Sequence, residues 1–130
     1  MKIKKVTYTA AEINNFGATG TVKAAYIDVS LPDLNQPSGE EVVRKYPLSM
    51  SVVNGSGQGI EIALLSNAEE EADFLINPDE YFFLLPNNSS IGTQSRIGRM
   101  YKVAVRKEST NVSNPVRFDF LNHVGITKIN

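Results

Sequence analysis

The sequence contains no cysteine and no tryptophan, and His123 is its single histidine. Without cysteine there is no disulfide framework, no thiolate metal site and no cysteine nucleophile. A single histidine also excludes any site that needs two imidazoles. A catalytic triad needs a base that is oriented by a third group, and the acid nearest to His123 along the chain is Asp119. We therefore expect no catalytic residue, no metal site and no cofactor.

Long apolar runs and a strong charge of one sign are also missing. No stretch approaches the roughly 20 apolar residues of a membrane-spanning helix, so we expect no membrane insertion. The start, MKIKK, is positively charged but has no apolar segment behind it, which predicts synthesis in the cytoplasm without a signal peptide. The formal net charge of −1 lacks the basic excess of a general nucleic-acid coat.

Alternation of apolar and polar residues dominates the chain, and this is the period of β-strands. The length of 130 residues fits one domain, and the hydrophobic fraction of 42% is near the globular average. We predict a single all-β domain over residues 1–130, an antiparallel β-sandwich or barrel of about seven or eight strands. The candidate strands are 2–9, 21–31, 42–54, a strand from Ile60 that turns Ile62 and Leu64 inward, 80–85, 99–107, 116–120 and 124–129.

Three segments carry turn or breaker chemistry. Pro47 predicts a break in the strand over 42–54, at a sheet edge or a bulge, because proline has no amide hydrogen to donate. Asn54-Gly55 predicts a hairpin turn that leads into the next strand. The polar stretch 86–98 predicts a long loop, of a length that is usually functional or disordered.

One segment departs from the β pattern. In Ser66-Asn67-Ala68-Glu69 the spacing matches a capping box, in which the serine side chain accepts from the Glu69 amide and the Glu69 carboxylate from the Ser66 amide. Acids at 69–71 fall in the first turn, where the helix dipole favours negative charge. We predict one short α-helix near residues 67–76. By helical spacing, one of its faces carries Ala68, Ala72 and Leu75.

Charge is unevenly distributed along the chain. Six acids and no base lie between 67 and 80, whereas five bases and no acid lie between 96 and 107. Either the two blocks pair across the fold, each exposed pair contributing about 0–1 kcal/mol, or they contact like subunits or a larger partner, where complementary charge steers association. Both interpretations stay open. The candidate partner-binding residues are Glu69, Glu70, Glu71, Asp73, Asn87, Asn88, Arg96 and Arg99.

Small size, all-β architecture and the missing catalytic signature favour a non-enzymatic structural or interaction subunit of a large assembly. Within that class we expect a bacteriophage virion component, either capsid-decorating or tail-associated, that binds copies of itself or a larger assembly. An alternative is a carbohydrate- or peptide-binding β-sandwich module. Its candidate aromatics are Tyr46, Tyr81, Phe82 and Phe83. A second alternative is a single-stranded nucleic-acid-binding barrel, because Tyr101 follows Arg96 and Arg99 in a basic strand.

Overall fold

The computed structural model describes residues 3–15, 31–32, 44–94 and 100–125, which form a mostly β structure with two short α-helices. The elements in chain order are β1 (Lys4–Tyr8), α1 (Ala10–Asn15), β2 (Leu31–Pro32), β3 (Arg44–Val53), β4 (Ile60–Leu65), α2 (Ala68–Ile76), a 3₁₀ turn (Pro78–Glu80), β5 (Phe82–Leu85), β6 (Ser90–Gln94), β7 (Lys102–Lys107) and β8 (Val116–Gly125). The prediction of a mostly β fold is confirmed, and the helix expected near 67–76 is α2.

The strands form two antiparallel sheets. Sheet A has the order β1-β8-β3-β2, and β6 pairs with β3 along a different part of that strand from β2. Sheet B has the order β5-β4-β7. Within the described ranges no strand pairing joins the two sheets, so these strands do not close into a barrel.

A shared hydrophobic core lies between sheets A and B. Alternate residues of β1, β3 and β8 meet alternate residues of β4 and β7, as the period of two requires. The core includes Val6, Met50, Val52, Ile60, Ile62, Val103, Val105, Phe118 and Phe120. The buried Tyr8 hydroxyl donates to the Val103 carbonyl at 3.2 Å and so links the sheets. Burial raises the pKa of Tyr8.

Sheet B buries its other face beneath α2. Phe74 is the buried residue of this helix, and it packs with Ala63, Leu65 and Ala104. Ala63 and Ala104 face each other across β4 and β7, and their small side chains leave room for the Phe74 ring. The layers therefore run in the order sheet A, core, sheet B and α2.

The helix α2 begins one residue later than the predicted capping box. Asn67 is the N-cap, and its side-chain oxygen accepts from the Glu70 amide at 2.8 Å. The Glu70 carboxylate accepts from the Ser66 amide at 2.7 Å. The assignment of these roles to Ser66 and Glu69 is wrong because asparagine caps as well as serine does. The shift leaves Glu69 exposed.

Removal of this cap should weaken the fold measurably. We expect Asn67→Ala to lower the free energy of unfolding by about 1 kcal/mol, because the Glu70 amide loses its acceptor. Asn67→Ser, which keeps an oxygen at the N-cap, should stay within about 0.5 kcal/mol of the wild type. Urea denaturation of the two variants gives the comparison. Equal losses in both would show that the side-chain bond contributes nothing.

The helix α1 was not predicted. It has its own capping box, in which the Thr9 hydroxyl accepts from the Glu12 amide at 3.1 Å. The Glu12 carboxylate accepts from the Thr9 amide at 3.3 Å. Burial of Ile13 fixes the helix against the core between the sheets.

The predicted hairpin at Asn54-Gly55 is wrong. Strand β3 belongs to sheet A and β4 to sheet B, so the loop 54–59 carries the chain from one sheet to the other. Asn54 is fully buried, whereas the corner of a two-residue hairpin is exposed. The predicted long loop 86–98 is also wrong in part, because it contains a turn and then β6, while 95–99 lies outside the described residues.

Two further strand predictions differ from the structure. Strand β3 continues through Pro47, so the predicted break is wrong. The predicted edge position is correct locally, because among the described strands Pro47 pairs only with β8. Pro47 lies between the parts of β3 that pair with β2 and with β6, and its carbonyl accepts from the Met100 amide at 2.8 Å. The strands predicted over 116–120 and 124–129 form one strand as far as Gly125. Of the strand predicted over 21–31, only Leu31 is described.

Candidate functional site

The acidic and basic blocks pair with each other at two points. Lys102 on β7 forms a salt bridge with Glu71 on α2. Arg106, also on β7, forms a salt bridge with Asp79 of the 3₁₀ turn at 2.6 Å. These four residues therefore support the interpretation in which the acidic and basic blocks pair across the fold. Arg96 and Arg99 lie outside the described residues.

Arg106 is the largest fully buried side chain of the described core. Its guanidinium makes two bonds to the Glu61 carboxylate, Nε to Oε1 at 3.1 Å and Nη2 to Oε2 at 3.3 Å. The same Nη2 donates to Asp79 at 2.6 Å, and the guanidinium lies 3.9 Å from the centre of the Phe82 ring. Two carboxylates and an aromatic face thus compensate one buried cation. The cluster ties the 3₁₀ turn to sheet B.

The acids predicted to bind a partner have different positions. Glu70 accepts from the Ser66 amide, and Glu71 pairs with Lys102. Asp73 is exposed and accepts from the Tyr81 hydroxyl at 2.6 Å. Glu69 is exposed on the first turn of α2. Glu69 and Asp73 are therefore the two acids of α2 that lie at the surface.

The bond from Tyr81 to Asp73 should be visible in an alkaline titration. It raises the pKa of Tyr81 to about 12, chiefly because ionisation breaks the bond and places a phenolate beside a carboxylate. Asp73→Asn should lower that pKa towards the ordinary value of about 10. The ultraviolet difference spectrum against Tyr81→Phe isolates this one tyrosine. Since the folded-state pKa is raised, the associated stability is present below about pH 10 and is lost as the pH rises towards 12. An unchanged titration in Asp73→Asn would contradict this assignment.

Asn87 and Asn88 belong to a turn rather than to a free loop. The Asn87 side-chain oxygen accepts from the Gly57 amide at 3.0 Å. Asn88 has a positive φ of 63°, which asparagine tolerates better than most residues, and its amide donates to the Asn54 carbonyl at 2.7 Å. Both residues are exposed, but their polar groups hold the loops 54–59 and 86–89 together.

A buried polar network underlies that turn, and its members were not predicted from the sequence. The Asn54 side-chain nitrogen donates to the carbonyls of Gln58 and Leu85, each at 2.8 Å. Its oxygen accepts from the amide and the hydroxyl of Ser56 at 3.1 and 2.6 Å. The Ser56 carbonyl in turn accepts from the Ser113 amide at 2.9 Å. Three loops are thus joined at one end of the fold.

The outward side of α2 carries an apolar stripe along its length. Ala68 and Ala72, which were predicted to share a face with Leu75, are exposed together with it. Leu75 is 51% exposed and Ile76 is 77% exposed. Glu69 and Asp73 border this stripe. We call these six residues the α2 face.

The outer side of sheet A is exposed. The register aligns Lys5, Asp119, Ser51 and Gly92 across four strands. Val53 is 65% exposed beside Ser51. Arg117 is 57% exposed, and its Nε lies 3.3 Å from the Asp119 carboxylate. Lys5, Ser51, Val53, Arg117 and Asp119 together are called the sheet A face.

A shallow pocket lies within the sheet A face. Its volume is about 170 Å³, and it is lined by Ser51, Val52, Val53, Arg117 and Asp119. A cavity of roughly 150 Å³ holds a molecule of the size of benzene. The pocket has a similar volume but is open to solvent rather than enclosed. None of these residues was predicted as a site residue from the sequence.

The aromatic residues of the alternative hypotheses are half-buried. Tyr81 and Phe82 pack against Phe74 under α2, and Phe83 packs against the core between the sheets. Tyr46 lies 6.1 Å from Tyr101, measured between ring centres, with the rings tilted by 34°. These rings do not form one platform, although Tyr46 and Tyr101 adjoin each other.

No protein-family model matches the chain, and no curated protein and no solved structure is significantly similar to it. In the described parts of the chain, no three acidic or histidine side chains are grouped so that they could hold a metal ion. No helix of those parts is long and apolar enough to cross a membrane.

Proposed function

We propose that the protein is a non-enzymatic structural or interaction subunit of a large assembly. We propose further that the assembly is a bacteriophage virion, in which the chain decorates the capsid or associates with the tail. The α2 face is the observation that carries the first proposal. The choice of a virion rests on the small size, the β architecture and the composition described above.

The α2 face has the properties of a docking surface. Its apolar members recur at i, i+4, i+7 and i+8, which is the spacing by which a helix anchors in a groove. A single exposed leucine is ordinary on a protein surface. Two large aliphatic side chains beside two alanines form a continuous stripe, and such stripes with polar borders mark interaction sites. Burial of this surface yields about 25 cal/mol per Å².

Two sheets packed as a sandwich suit such a subunit. Support comes from the core that both sheets share and from the bond between Tyr8 and Val103, which links them. Sheet B is also covered by α2 through Phe74. A body of this kind presents fixed surfaces to its neighbours, as a component of a regular particle requires.

Co-sedimentation tests the proposal. A tagged chain expressed during phage production should appear in the particle fraction, and native mass spectrometry should find it there in many copies. Ile76→Gln should reduce the incorporated fraction at least tenfold. Leu84→Gln changes another exposed aliphatic residue, on β5 and outside the α2 face, and should leave incorporation unchanged. A wild-type chain that remains outside every particle and is monomeric in isolation would overturn the proposal.

A further inference from the structure

We propose that the α2 face docks onto the sheet A face of a second copy of the same chain, so that copies join head to tail. This inference rests on the proposed function, because it names the neighbour of each subunit. It depends on three properties of the two faces: their charges, their shapes and their positions on opposite sides of the fold.

The charges of the two faces are complementary. Glu69 and Asp73 border the α2 face, and no base of α2 lies among them. The sheet A face carries Lys5 and Arg117 at the surface, and its one acid, Asp119, is half-buried and pairs with Arg117, so the face keeps a net charge of +1. Two α2 faces brought together would oppose acid to acid. Contact between unlike faces places acids against bases, which steers association and fixes the register.

The two faces also differ in shape, since one projects a side chain and the other has a shallow pocket. The α2 face projects Ile76, which is 77% exposed at the end of the helix. The sheet A face offers the pocket of about 170 Å³ beside Val53. The exposed Val53 side chain and the aliphatic stem of Arg117 provide apolar contact for an entering side chain. In the proposed contact, Ile76 of one copy lies against this shallow pocket of the next.

The two faces lie on opposite sides of the molecule. Helix α2 packs on the side of sheet B that faces away from the core, and the α2 face is the outward side of that helix. The sheet A face is the side of sheet A that faces away from the same core. A contact between different surfaces of identical subunits is heterologous, and it produces rings if the rotation closes and filaments if it does not. The proposed contact therefore leads to stacks of many copies rather than to a closed dimer.

Complementation between two variants tests this geometry. Ile76→Gln disables the α2 face, and Arg117→Glu disables the sheet A face. Sedimentation velocity should show concentration-dependent stacks for the wild type and at least a tenfold weaker self-association for each variant alone. When the variants are mixed, the intact sheet A face of one binds the intact α2 face of the other. The mixture should therefore form heterodimers that grow no further.

Controls separate a lost contact from a lost fold. Lys5→Glu reverses the charge of the other base of the sheet A face, on the edge strand β1, and should weaken stacking as Arg117→Glu does. Leu84→Gln lies outside both faces and should stack like the wild type. Thermal unfolding confirms that each variant is folded. Stacking should weaken as salt is raised, because exposed charges are screened.

Three results would overturn the inference: wild-type chains that remain monomeric, variants that both stack normally, or a mixture that grows beyond dimers. A chain that is monomeric alone but present in the particle would overturn only the head-to-tail contact. Stacks that form in solution without entry into any particle would overturn only the virion proposal.

Discussion

Arg106→Met should lower the free energy of unfolding by about 3–5 kcal/mol, which is the usual cost of removing one partner of a buried ion pair. The substitution leaves the Glu61 carboxylate, which is 13% exposed, without its two guanidinium bonds. Asp79 also loses its bond at 2.6 Å, and the 3₁₀ turn loses its tie to sheet B. Guanidinium chloride denaturation measures the loss, provided that the slope with denaturant is unchanged.

Arg117→Met is the matched control for Arg106→Met. Arg117 also pairs with an acid, Asp119, but its side chain is 57% exposed. Such surface pairs contribute about 0–1 kcal/mol, so this variant should stay close to the wild type. Glu61→Leu combined with Arg106→Met removes both buried charges and should recover part of the loss. Equal effects of Arg106→Met and Arg117→Met would show that burial does not strengthen the Arg106 cluster.

Asn54→Asp should cost about 3–5 kcal/mol at neutral pH. The change replaces the nitrogen that donates to the Gln58 and Leu85 carbonyls by an oxygen that cannot donate when ionised. Each buried carbonyl left without its donor costs about 1–3 kcal/mol, and a buried charge adds to this. Denaturation of the variant and the wild type at the same pH gives the difference.

The pH dependence of the Asn54→Asp loss provides a further check. The introduced carboxyl favours its protonated form in the folded state, so its pKa there lies above the ordinary value of about 3.9. The folded state then binds more protons than the unfolded state, and the deficit should narrow as the pH falls towards 4. Asn87→Asp, at an exposed site that keeps its acceptor for the Gly57 amide, should cost less than about 0.5 kcal/mol. A loss of stability in Asn87→Asp as large as that in Asn54→Asp would show that burial is not the cause of the Asn54→Asp effect.

Alternation predicted the parts of the fold in which one strand face is buried. Ile60 and Ile62 on β4 and Val103 on β7 face the core as their spacing indicates. The helix α2 was predicted because its acids and its polar start are local signals. The partners of each strand were not predictable, because pairing depends on contacts between distant residues.

The errors have physical causes that can be named. Asn54-Gly55 has the composition of a hairpin turn, but the Asn54 side-chain amide is buried and forms hydrogen bonds inside the fold. The six residues of α1 are too few for a clear helical period, although the Thr9–Glu12 capping spacing was visible in the sequence. Asn67 and Ser66 are equivalent as N-caps, so sequence alone could not choose between them.

The candidate surfaces also depend on contacts between distant residues, which the sequence does not show. The shared face of Ala68, Ala72 and Leu75 was visible from spacing, but its exposure depends on Phe74 being the residue that sheet B buries. Lys5 and Arg117 became neighbours on one face only through the pairing of β1 with β8. Distant pairs of this kind have no local signature.

The position of β8 between β1 and β3 determines when the protein can fold. Lys4 pairs with Phe120 and Lys45 pairs with Gly125, so sheet A joins early and late parts of the chain. On the ribosome, β1 and the side of β3 that is not paired with β2 or β6 have no described partner until β8 has emerged, and these edges are open to aggregation in the meantime. Chains dominated by such distant pairings fold in roughly milliseconds to seconds. Sheet A of a partly synthesised chain therefore stays incomplete until β8 is available for pairing.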